Sequence, residues 1–145
     1  MLSRVALLLM LLLLSTSLLA EDRKYIVASP QNNLPFSNGV LVGDTLYIAG
    51  HLGLDPQTGK PPADPEDEAR LVMDAIKKVV EEAGMTMADV TMIQVYCPDL
   101  SLYAAFNKVY RTYFQDGFPA RAFIGSGKLL RDARFEVLGI AVKRK

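Results

Sequence analysis

Phe118-Pro119-Ala120-Arg121-Ala122-Phe123-Ile124 sets a single arginine at the entry to a short apolar strand. An arginine there needs an anionic partner, because a guanidinium is rarely buried unpaired. Its planar fork fits a carboxylate through two parallel hydrogen bonds, which lysine cannot reproduce. Residue types and spacing leave two partners open: a bound carboxylate ligand, or an acid of the fold such as Glu136. Other chemistries have little to work with. His51 is the only histidine and Cys97 the only cysteine. One of each is too few for a His- and Cys-based zinc site, and a lone cysteine makes no intramolecular disulfide. Cys97 sits in the strand-like Val95-Tyr96-Cys97, where a buried inert thiol is the expectation. His51 is kept as a local acid or base only.

The charge balance points the same way. Lys+Arg and Asp+Glu are equal at 16 each in 145 residues, so the basic excess of a nucleic-acid surface is absent. A small molecule is the expected partner.

The elements that must position Arg121 start after residue 20. Arg4, the apolar run Val5 to Leu14, and small residues up to Ala20 precede the charged Glu21-Asp22-Arg23-Lys24. That order reads as a cleaved secretory signal peptide over residues 1–20, followed by one domain over 21–145 and export of the mature chain. The alternative is an N-terminal membrane anchor, for which the apolar run is short of the ~20 residues a spanning helix needs. With the leader cleaved, no stable membrane association is expected.

Tyr25 to Ala28, Gly39 to Val42 and Thr45 to Ala49 read as strands, the last two joined as a hairpin by Gly43-Asp44. Asp64 caps a helix with Pro65 at its first position and acids in its first turn. Ala69, Val72, Met73, Ile76, Val79, Val80 and Ala83 recur at helical spacing, and Gly84 closes the helix. A strand over Val90 to Cys97 follows. A second helix carries Leu102, Ala105, Phe106, Val109, Tyr110 and Tyr113, and two strands lie around Arg121 to Gly125 and Arg134 to Val142. The order β-β-β-α-β-α-β-β predicts an α+β domain, a mixed sheet with two helices on one face. Tyr47, Met92, Val95 and Phe135 look too apolar for a wet opposite face, so association with further copies is expected.

Gly39 to Gly50, Asn107 to Phe114, Phe118-Pro119-Ala120-Arg121 and the final Phe135-Glu136-Val137-Leu138-Gly139-Ile140-Ala141-Val142 resemble the Rid/YjgF family, from about Pro35 to Lys143. The resemblance implies a chorismate-mutase-like fold, a ring-shaped homotrimer and ligand clefts between neighbouring subunits. It implies hydrolysis of 2-imino acids to 2-keto acids and ammonia, with no metal and no organic cofactor. Arg121 would hold the substrate carboxylate, and Phe36, Ser37, Gly50, Asn107, Phe123 and Glu136 would line the cleft. Three positions depart from the family. Phe36 keeps the aromatic ring of the Pro-Tyr-Ser segment and loses its hydroxyl. Phe123 replaces a small residue and should narrow the cleft. Leu138 stands where archetypal members carry the water-orienting glutamate. Glu136 is two residues away, about 6.5–7 Å along a strand, too far to replace it without rearrangement. The resemblance therefore implies weak deamination, or a non-catalytic trimer that binds small carboxylates. Endoribonuclease activity, attached to some family names, fits a single histidine and neutral charge least.

Overall fold

In the computed structural model, residues 22–27 and 34–144 are described. The leader expectation falls on residues outside this range. Six strands form one sheet: β1 (Arg23–Ile26), β2 (Gly39–Val42), β3 (Thr45–Leu52), β4 (Val90–Cys97), β5 (Ala120–Gly125) and β6 (Glu136–Val142). Their spatial order is β1-β2-β3-β6-β4-β5. All neighbours are antiparallel except β4 and β5, which are parallel. A parallel pair needs a crossover, and α2 (Tyr103–Tyr110) supplies it, extended by 3₁₀ turns at Leu100–Leu102 and Arg111–Tyr113. The other helix, α1 (Pro65–Glu82), joins β3 to β4.

Local chemistry explains the boundaries. The Asp64 carboxylate accepts from the Glu66 amide at 2.8 Å, and Pro65 occupies a position whose N–H has no helical partner. Ala83 caps the far end and Gly84 follows at φ 76, a conformation glycine takes freely. The α1 stripe of Ala69, Val72, Met73, Ile76, Val79 and Val80 is buried against β3 and β6, with Leu46, Ile48, Val137 and Ala141 facing it. From α2, Phe106, Val109 and Tyr110 extend the core to β4 and β5.

Among the described residues no helix lies over the sheet's second face. Register carries one row across all six strands: Tyr25, Val40, Tyr47, Ile140, Met92 and Ala120. Tyr25 and Tyr47 remain 59% and 52% exposed, so none of the described residues covers them. The sequence expectation needs one correction. Tyr47 and Met92 do lie on the open face, but Val95 and Phe135 are fully buried in the core. Val95 alternates with Gln94 and Tyr96, which takes it to the helix side.

One polar element ties the layers together. Glu68 on α1 is fully buried, and its carboxylate accepts from the Arg134 and Phe135 amides at 2.6 and 3.1 Å. Arg134 Nε pairs with it at 2.5 Å, and the remaining guanidinium nitrogens donate to the Pro62 and Ala63 carbonyls. This network fixes the loop that leads into β6.

Candidate functional site

Arg121 is the second residue of β5, an edge strand, and registers with Ile93 on the helix-facing side of β4. Its guanidinium therefore meets α2, whose Tyr103, Asn107 and Tyr110 stand on one face at spacings of four and three. The Cζ of Arg121 lies 4.5 Å from the Tyr110 ring centroid, 5.6 Å from that of Tyr103 and 5.8 Å from that of Phe123. Its Nη2 donates to the Tyr103 hydroxyl at 3.3 Å. A guanidinium over aromatic faces is held electrostatically, and its remaining N–H groups are free for an anion. The cleft above these rings measures about 200 Å³ and is completed by Arg111, Phe118 and Pro119.

Arg121 has no ion-pair partner among the described residues. The internal pairing with Glu136 left open by the sequence does not occur. Glu136 registers with Tyr96 on the open face, whereas Arg121 registers with Ile93 on the helix face. Residues an odd number apart on a strand point to opposite sides.

Electrostatics inside the cleft are uneven. The Asn107 side chain and then the Arg121 guanidinium hold the Tyr103 hydroxyl below the usual tyrosine pKa. Burial pushes Tyr110 up to about 12. The Tyr110 hydroxyl is buried and finds no hydrogen-bond partner among the described residues, which is uncommon for a buried hydroxyl.

The residues expected to share this site fall in three places. Arg121, Asn107 and Phe123 come together, with Phe123 beneath the cleft, edge-on to Tyr103 at 5.0 Å and to Phe106 at 5.5 Å. It packs against Tyr103 and Phe106 as a buttress of the cleft. Phe36 and Ser37 precede β2, and Phe36 is exposed. From β2 to β5 is four strand spacings, roughly 19 Å. Gly50 and Glu136 form a third locus in the middle of the sheet, where a side chain at Gly50 would collide with the Glu136 carboxylate. Glycine there makes room for that group. Leu138 is on the open face with Glu136, half-buried, registering with Gln94. Tyr103, Tyr110 and Arg111 were missed as site residues, since the sequence shows Tyr110 only as part of a core stripe.

The two sole residues of their type are quiet. Cys97 is buried, its Sγ donates to the Asp99 carbonyl at 3.0 Å, and burial raises its pKa. His51 Nδ1 donates to the Ala49 carbonyl at 2.7 Å, and burial lowers the ring's pKa. No three His, Cys, Asp or Glu side chains cluster as a metal would need among the described residues.

A mixed sheet backed by two helices defines an α+β protein, whose edge-strand cleft holds an arginine with no ion-pair partner among the described residues. Comparison with known proteins sharpens the class. The family described as Endoribonuclease L-PSP matches residues 27–143. The 2-iminobutanoate/2-iminopropanoate deaminase of Dermatophagoides farinae is 35% identical over 115 residues, 79% of this chain and 90% of that protein. The deaminase of the same name from Escherichia coli K12 is 34% identical over 113 residues, 76% and 88% respectively. The YjgF gene product of E. coli superposes with a TM-score of 0.76 at 32% identity, covering 83% of this chain and 99% of that one. E. coli TdcF with bound serine does so at the same TM-score and identity, covering 83% and 100%. The chain belongs to the Endoribonuclease L-PSP family, that of the YjgF and RidA proteins, and has its fold.

Proposed function

We propose that this protein hydrolyses 2-imino acids to 2-keto acids and ammonia, in clefts built between copies of the chain. The observation that carries the reading is Arg121, unpaired and held on an aromatic bed with its fork directed into a cleft. The deaminase names of relatives at about a third identity and the serine bound to TdcF support it, since both involve an α-carboxylate.

In this mechanism Arg121 anchors the substrate carboxylate. Water adds to the imine carbon and the C=N electron pair moves to nitrogen. One proton of the water passes to that nitrogen, giving a carbinolamine; its hydroxyl proton then moves to the nitrogen as the C–N bond breaks, releasing ammonia and leaving the keto group. Anchoring and desolvation of an electrophilic imine account for part of the rate. With Leu138 in place of the family glutamate, a positioned base is missing there, and catalysis is expected to be weak by about 100-fold or more.

The homotrimer is part of the proposal. Phe36 and Ser37 reach an Arg121 site only from a second copy, and the row from Tyr25 to Ala120 needs a cover. The second reading is a non-catalytic carboxylate-binding trimer, favoured by Leu138. Turnover of 2-iminobutanoate generated in situ, with semicarbazide as the competing trap, separates the two. Keto-acid release above the spontaneous rate supports deamination, and its absence alongside tight 2-oxobutanoate binding favours the binder. Sedimentation showing a stable monomer at micromolar concentration contradicts the trimer. Export through a leader over Met1 to Ala20 is proposed from the sequence alone. An intact mass starting near Glu21 supports it, and retention of Met1 in the membrane fraction contradicts it.

A further inference from the structure

The Arg121 cleft carries more positive charge than one carboxylate needs. Arg111 lines it as well, its Cζ 5.6 Å from the Phe118 ring centroid. Phe118 stacks on Tyr110 at 6.2 Å and 21°, and Tyr110 is the ring beneath Arg121. The two guanidiniums thus stand on neighbouring members of one stacked aromatic pair and open into the same space. Neither has an ion-pair partner among the described residues, and no Asp or Glu lines the cleft. Two like charges sharing so small an opening repel each other, and an anion with one charge leaves one of them uncompensated. Each guanidinium is seated on a different ring of the stacked pair, so the two charges present separate docking points. A ligand with a carboxylate at each end answers both.

We propose that this cleft selects 2-imino and 2-oxo acids bearing a second, side-chain carboxylate, with Arg121 on the α-carboxylate and Arg111 on the distal one. The inference rests on the imino-acid reading and deepens it. Phe118 and Tyr110 form an apolar floor for the carbons between the two charges. The Tyr103 hydroxyl, bonded to Arg121 and flanked by Asn107, stands at the rim.

The test titrates the protein calorimetrically with 2-oxoglutarate, 2-oxobutanoate and inorganic phosphate at constant ionic strength. The expected result is binding of 2-oxoglutarate at least about ten-fold tighter than 2-oxobutanoate, as one further charge-assisted pair supplies. Phosphate is expected to be the weakest of the three. Arg111→Met should bring the two oxo acids to similar affinities, and Arg111→Lys should keep part of the difference. Equal affinities in the unsubstituted protein overturn the inference, whatever the variants do, as does a preference unchanged by Arg111→Met or phosphate binding above both oxo acids. If 2-iminobutanoate is turned over while the two oxo acids bind alike, only the dicarboxylate preference falls. If no oxo acid binds and no imine is turned over, the deaminase reading falls with it.

Discussion

Arg121 lies 4.5 Å above the ring of Tyr110, a residue whose own buried hydroxyl has no hydrogen-bond partner among the described residues. The aromatic face serves the cation while the polar end of the same side chain is left unsatisfied. An unpaired buried hydroxyl costs about 1–3 kcal/mol. Tyr110→Phe keeps the face and deletes the hydroxyl, so the melting temperature is expected to hold or rise. A drop of several degrees would mean the hydroxyl has a partner after all.

Glu68 is the group whose loss should do most harm to the fold. Its carboxylate is fully buried and answers two amides and the Arg134 guanidinium. Removing one member of such a network leaves buried charge unmatched, so Glu68→Ala should cost about 3–5 kcal/mol in chemical denaturation. A loss within experimental error would show the network to be dispensable.

Gly50 and Glu136 make a coupled pair. A methyl group at position 50 meets the Glu136 carboxylate, the movable end of a half-buried side chain, so Gly50→Ala should destabilise by only about 0.5–1.5 kcal/mol as that side chain shifts its rotamer. Glu136→Ala in the same molecule should recover most of that loss. Additive effects in the double-mutant cycle would place the strain elsewhere.

These particulars show how far the residues alone could be read. The α1 stripe, the Asp64 cap, the Gly43-Asp44 hairpin and the order of elements along the chain were legible because each has a local cause. The partner of Arg121 was not, because strand register decides it. Whether Glu136 or the α2 tyrosines face that arginine depends on which side of the sheet each takes. Val95 and Phe135 were misplaced for the same reason: apolar composition does not say which of two faces a strand residue joins. Glu68 gave no signal at all, since a glutamate in the first turn of a helix is ordinary and its partner lies 66 residues away.

The pH dependence should carry the signature of His51. Burial lowers its pKa in the folded chain, partly offset by the Ala49 carbonyl and by nearby Glu136. The unfolded chain therefore binds the proton more readily than the folded one below the ordinary value of 6.5. Stability associated with the neutral ring is complete above that pH and declines as pH falls towards the folded pKa. Melting scans from pH 7.5 to 5 should show this decline, and His51→Asn should flatten it. A profile unchanged by the substitution would assign the slope to other groups.

The central claim is that Arg121 holds a substrate carboxylate and supports nothing else in the fold. Imine turnover and thermal melting, measured together on Arg121→Ala and Arg121→Lys, test it most directly. The loss of a charge-assisted bidentate pair is worth about 1.5–3 kcal/mol, roughly ten- to a hundred-fold. Both variants should lose at least that much kcat/KM on 2-iminobutanoate while melting within a few degrees of the parent. Variants that melt far lower but keep full specific activity in the folded fraction would contradict the account.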